Sequence, residues 1–139
     1  FIQVTGKGLE KLSSIFVDFA KENIEGVTDE TLQKYKDAPF RAPMIIILIS
    51  EIKIHPKVPE MEQMLSTAAA AENILLALNA LNYAGMWRTG VFALNEKISK
   101  YLELKDNQKV IGYLYVGTAT GKQKKIPEMD TSEFVTEWI

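Results

Sequence analysis

The chain has 139 residues, 47% hydrophobic and 24% charged, with a net charge of −2 and no cysteine. This composition suits one ordinary globular domain over residues 1–139. It carries no basic surplus for a nucleic-acid footprint, and it excludes disulfides, thiolate metal sites and cysteine nucleophiles. The longest uninterrupted apolar run, Met44 to Ile49, is far too short to span a bilayer. We therefore expect a cytoplasmic protein with no membrane or nucleic-acid partner.

Phe1 to Thr5 reads as a short strand, closed by the turn signal Gly6-Lys7-Gly8. A strand at residue 1 is the expectation for a chain that starts in mid-fold. Leu9, Leu12, Ile15, Phe16 and Phe19 recur at helical spacing and predict an amphipathic helix to about Asn23, broken at Gly26. Thr28 is a candidate N-cap, followed by Asp29 and Glu30 where acids favour the helix dipole; a short polar helix to about Asp37 is expected. Prolines at 39 and 43 argue against any helix over residues 38–43.

Met44 to Ser50 is apolar without alternation, the pattern of a central strand buried on both faces. Glu51 to Pro59 reads as an exposed loop. From about Glu60 to Tyr83 runs the strongest helical signal, centred on Ala68-Ala69-Ala70-Ala71. Its second half is apolar nearly all round, which predicts a buried helix ended by Ala84-Gly85. Asn95 caps a short helix carrying Ile98, Tyr101 and Leu102. Val110 to Val116 is a second two-sided strand, ended by Gly117. Gly121 to Asp130 is polar, and Phe134 to Ile139 is a last strand or an extended tail. The order β-α-α-β-α-α-β-tail predicts a helix-covered sheet of α+β or α/β class.

Candidate chemistry is sparse. His55 is the only histidine and sits in a polar loop before Pro56, the setting of a solvated side chain. Ser66 lacks a neighbouring histidine and a nucleophile elbow. Gly6-Lys7-Gly8 lacks the remaining glycine and lysine of a phosphate loop. Asn82-Tyr83-Ala84-Gly85-Met86-Trp87-Arg88-Thr89-Gly90 stands apart. Two readings stay open for it: a ligand-binding loop whose Arg88 offers a planar fork to phosphate, or a helix C-terminus with a core Trp and a surface Arg.

An ordered set of motifs bears on that choice. Asp37-Ala38-Pro39-Phe40-Arg41-Ala42-Pro43, then Lys57-Val58-Pro59 with Glu62-Gln63, then Gly85-Met86-Trp87-Arg88-Thr89-Gly90, then Val110 to Thr118 succeed one another along the chain. Together they resemble the short, single-domain bacterial branch of the nitroreductase family. The resemblance implies an α+β, nitroreductase-like fold with a central mixed sheet flanked by helices. It implies FMN as cofactor, NADH or NADPH as electron donor, and a nitroaromatic, quinone or similar small-molecule acceptor. It also implies a homodimer, with the apolar tail Phe134, Val135, Trp138 and Ile139 crossing to the neighbouring subunit.

By resemblance, Trp87, Arg88 and Thr89, with Gly85 beside them, match the family's FMN-contacting stretch, and Ala77 to Asn82 match a segment for the nicotinamide nucleotide. The family's N-terminal phosphate-gripping Arg-Arg-Ser motif and the ring-contacting segment after it have no counterpart here, so the resemblance implies an N-terminally incomplete chain. Other expectations compatible with it are consumption of FMN as a substrate, dehalogenation, and a flavin-binding or dimerising protein without turnover.

Overall fold

A computed structural model describes residues 1–121, 125 and 127–139. The elements are β1 (Ile2–Thr5), α1 (Lys7–Asn23), α2 (Asp29–Asp37), β2 (Met44–Glu51), α3 (Glu60–Ala80), β3 (Ala84–Arg88), α4 (Glu96–Tyr101) and β4 (Gln108–Gly117). Short 3-10 turns cover Ala38–Arg41, Gly90–Phe92 and Thr131–Glu133.

The strands form one sheet in the order β1-β2-β4-β3. All three pairings are antiparallel, so the sheet in the described residues is not the mixed one expected. β2 and β4 occupy the centre and are largely buried along their length, as their unalternating sequences predict. A register shift after Leu48 sets Gly112 opposite Leu48 and Val110 opposite Ile49.

One face of the sheet carries α1. Leu9, Leu12, Phe16 and Phe19 pack there against Ile45, Ile47, Val110 and Tyr113. Phe16 stacks on Phe92 with ring centroids 3.9 Å apart and meets Tyr113 edge-on at 5.4 Å. The expected cap of α2 forms, with the Thr31 N–H donating to Thr28 Oγ1 at 3.2 Å. The cap of α4 forms likewise, from the Lys97 N–H to Asn95 Oδ1 at 3.0 Å.

The other face carries α3, where expectation and structure part. Ala71 is the one residue of α3 that is fully buried. Ile74, Leu75 and Leu78 lean on Leu48, Ile111 and Leu114, while Leu65 and Leu76 are 59% exposed. Apolarity all round predicts burial only if something covers the outer side. A single sheet can cover one side of a helix.

Local geometry brings two further corrections. Residues 38–41 do form a 3-10 turn despite Pro39, because the first N–H groups of a helical turn have no partner within it, so a proline among them loses no hydrogen bond. Helix α3 stops at Ala80, and Asn82 reverses the chain with φ of 61°, a left-handed geometry that Asn tolerates. The chain then enters strand β3, where the sequence alone suggested a helix end and a loop.

The tail after Thr131–Glu133 forms no strand among the described residues and is exposed, with Phe134 68% and Trp138 96% accessible. Part of the polar stretch expected over Gly121 to Asp130 lies outside the described residues. Among the described residues no helix is long and apolar enough to cross a membrane.

Candidate functional site

Among the described residues strand β3 lies at the edge of the sheet, hydrogen-bonded to β4 alone. Its outer side therefore presents peptide N–H and C=O groups with no strand partner. Beside it lies a cleft of about 590 Å³ lined by Tyr35, Arg41, Met86, Arg88, Tyr113 and Tyr115 among others, with Thr89 and Gly90 at its rim. That volume is in the ordinary range for a small-molecule or cofactor site.

The strand register sorts the side chains. Met86 pairs with Tyr115, Trp87 with Leu114, and Arg88 with Tyr113. Alternation along β3 then puts Met86 and Arg88 on the α1 face with the two tyrosines, and Trp87 on the α3 face with Leu114. Arg88 Nη1 approaches Met86 Sδ at 3.4 Å. The Trp87 indole is half-buried over Gly112, and its Nε1 has no hydrogen-bond partner among the described atoms.

The tyrosines differ in character. Tyr113 donates its hydroxyl to the Phe92 carbonyl at 2.7 Å, and burial holds its pKa far above the ordinary phenol value. It is a fixed neutral wall. Burial also raises the Tyr115 pKa, but the positive charges of Arg41 and Arg88 oppose that rise. Tyr115 therefore sits within reach of both guanidinium fields.

The sequence-predicted residues divide accordingly. Arg88, Thr89 and Trp87 border this cleft. Gly85 lines an adjoining cleft that shares Arg41, Met86, Arg88 and Tyr115 with it. Gly85 also lets β3 approach α3, since a Cβ there would lie 2.5 Å from Leu75 Cδ2. Ala77, exposed on α3, and Asn82, at the turn before β3, line neither cleft. Arg41, Met86 and Tyr115 escaped the sequence reading as site residues. The signal for Arg41 lay in its position between Pro39 and Pro43, which stiffen the turn that presents it.

A second cleft, of about 690 Å³, lies across the sheet between the loop after β2 and the start of β4. Several of its groups are already engaged. Lys109 Nζ contacts Glu60 at 2.6 Å and Glu96 at 3.7 Å. Gln63 clamps the loop, accepting from the Lys53 N–H and donating to the Lys53 and Val58 carbonyls. His55 Nδ1 accepts from the Lys57 and Val58 N–H groups, a structural task that fits the loop reading of this residue. Size alone would favour this cleft; the availability of its groups favours the other.

The sequence model of the Nitroreductase family matches residues 1–118. An Escherichia coli K12 protein described as "Putative NAD(P)H nitroreductase YdjA" is 31% identical over 137 residues, 98% of this chain and 74% of that protein. A Haemophilus influenzae protein described as an NAD(P)H nitroreductase in the same terms is 30% identical, with the same coverage. Among solved structures, a nitroreductase-like family protein of Bacillus cereus superposes with a TM-score of 0.77 at 17% identity, covering 97% of this chain and 70% of that one. The nitroreductase CinD of Lactococcus lactis, solved with nicotinic acid, gives 0.71 at 16% identity over 97% and 74%. The FMN-dependent nitroreductase NfnB of Mycobacterium smegmatis, solved with NADPH, gives 0.66 at 16% over 97% and 76%. These superpositions establish the nitroreductase-like α+β fold.

Proposed function

The chain belongs to the nitroreductase family, and from that premise we propose that it is an FMN-dependent oxidoreductase. It takes electrons from NADH or NADPH and passes them to a nitroaromatic, quinone or similar small acceptor in the cytoplasm. The observation that carries this reading is the cleft at the edge of β3. There the family-matching residues Trp87, Arg88 and Thr89 meet the Arg41 guanidinium, apolar walls and strand-edge peptide groups.

The residues present fit a flavin nucleotide. An edge of alternating peptide donors and acceptors suits the imide edge of a flavin ring, Met86 and Tyr115 suit its apolar faces, and the Arg88 fork suits an oxyanion. Bound FMN would supply the hydride chemistry, which protein side chains do not provide. The chain's own contribution is positional. Trp87 packs into the α3 side of the sheet and holds β3 in place, Arg88 supplies positive charge, and Tyr113, kept protonated by burial, adds no competing anion. Gly85, in the adjoining cleft, would border the flavin nucleotide, while Ala77 and Asn82, which line neither cleft, carry their nicotinamide-nucleotide role on the family resemblance alone.

We also propose a homodimer. The outer side of α3, with Met61, Leu65 and Leu76, and the tail residues Phe134, Val135 and Trp138 are large, apolar and exposed. Exposed apolar surface of this kind is ordinarily covered by a partner, and a two-fold axis lets both copies do so at once.

The purified protein tests the reading directly. A flavin absorption band that co-purifies or saturates on FMN addition, and that bleaches on adding NADH or NADPH under anaerobic conditions, is the expected result. A protein that shows no saturable FMN binding is not this enzyme, and one that binds FMN without bleaching is a carrier.

A further inference from the structure

We propose that Met86 is a modification site: hydrogen peroxide converts its thioether to the sulfoxide, and the added oxygen takes Arg88 as its hydrogen-bond donor, withdrawing that guanidinium from the β3 cleft. The sulfoxide and the capture of Arg88 stand on local geometry; only the resulting loss of flavin affinity rests on the oxidoreductase reading.

The chain has five methionines. Met44 and Met64 are half-buried and pack into the core on the α3 side. Met61, Met86 and Met129 are exposed. Among the described residues Met86 alone of the five has a sulfur that accepts a hydrogen bond, from Arg88 Nη1 at 3.4 Å. That contact is built into the strand, because alternate residues of β3 share a face and both side chains line the same cleft. Arg88 is also free to be taken. Among the described residues no carboxylate lies within ion-pair distance of it, whereas Lys11, Lys34 and Lys109 each have one.

The chemistry is a two-electron oxidation. A sulfur lone pair attacks one peroxide oxygen, an S–O bond forms and the O–O bond breaks. The departing hydroxide takes the proton left on the sulfur-bound oxygen and leaves as water. Sulfur loses two electrons and peroxide gains them, and methionine sulfoxide reductases reverse the change. A thioether is a weak acceptor, whereas a sulfoxide oxygen is polar and strongly accepting. An oxygen bonded to an atom 3.4 Å from Nη1 can reach ordinary hydrogen-bond distance with side-chain rotation alone. Bonds from a charged donor are the strong ones. At Met61 and Met129 the same oxidation finds no such donor among the described residues, so exposure is common to three methionines and the consequence belongs to one.

Mass spectrometry of peroxide-treated protein tests the site without flavin or turnover. Met86 should reach the sulfoxide well ahead of Met44 and Met64; Met86 left intact after Met61 and Met129 have reacted overturns the proposal. The fate of Arg88 is then read with phenylglyoxal, with Arg41, the other arginine of the chain, as internal reference. Oxidation should slow labelling of Arg88 relative to Arg41 about 10-fold, the effect of one hydrogen bond from a charged donor. Sulfoxide reductases should restore the rate. The result should persist with Met61→Leu and Met129→Leu in place and vanish in Met86→Leu. Met86→Gln, whose amide oxygen stands in for the sulfoxide, should slow the labelling without peroxide. An Arg88 to Arg41 ratio that oxidation leaves unchanged overturns the capture. So does an oxidised protein that has lost its near-UV circular dichroism, because the sulfoxide is then damage to the fold.

FMN titration before and after oxidation gives the last outcome. Affinity should fall about 10-fold and return with the reductases. Equal affinity in both states overturns the withdrawal of Arg88 from the cleft. A protein that binds no flavin in either state, yet shows Arg88 slowed by oxidation, would sink the oxidoreductase reading and leave the modification standing.

Discussion

The two faces of the sheet are both apolar, yet they are finished differently. The α1 face is closed by the chain itself, with Phe16, Phe19 and Ile98 each at most 1% exposed and the rings of Phe16, Phe19 and Tyr35 gathered around Phe92. The α3 face is closed only inward, and half of its helix looks outward with leucine and methionine side chains. The first face is where stability resides. The second is where association is expected, and the cleft sits on the α1 side of the edge strand that separates the two.

The largest effect should come from the closed face. Phe16→Ala removes a ring stacked on Phe92 and touching Tyr113. It should cost about 3–5 kcal/mol in denaturant unfolding, independent of protein concentration. A cost that shrank at high concentration would mean that the α1 face is not self-sufficient.

At the edge between the faces, Arg88→Ala should weaken FMN by about 1.5–3 kcal/mol, roughly 10- to 150-fold in Kd, by loss of a charge-assisted contact. An unchanged dissociation constant by fluorescence titration would return Arg88 to an ordinary surface residue.

Gly112→Ala probes how the α3 face holds β3. A Cβ there would lie 1.9 Å from Trp87 Nε1 and 2.7 Å from Cδ1, so the indole must move. The cost should be about 1–3 kcal/mol, with a shifted tryptophan emission. The double variant with Trp87→Ala should be less than additive, since the clash is then gone.

The smallest change in the folded chain should come from the open face. Leu76→Asp, on the exposed side of α3, should alter monomer stability by no more than about 0.5 kcal/mol. It should nevertheless lower the mass measured by light scattering, as should deletion of residues 133–139. A dimer that survives both changes with unaltered mass would remove the open face and the tail from the interface.

Much of this was legible in the sequence. The spacing of Leu9, Leu12, Phe16 and Phe19 determined α1, and the unalternating runs at Met44 and Val110 determined the two central strands. Thr28 and Asn95 marked caps that form as expected. These signals are local, since a periodic pattern or a cap depends on residues a turn apart. The motif order pointed to the family for the same reason, and the family match over residues 1–118 bears that out.

Other features were decided only by tertiary structure. Met86-Trp87-Arg88 became a strand because β4 offered it a free edge to pair with, and nothing within those residues encodes a partner. The outward apolar side of α3 looked like core, because hydrophobicity reports what a side chain avoids and not what covers it. Arg41 and Arg88 stand 47 positions apart in the sequence. They line one cleft only because the 3-10 turn before β2 and the end of β3 both border it, and no pattern read along the chain carries that proximity.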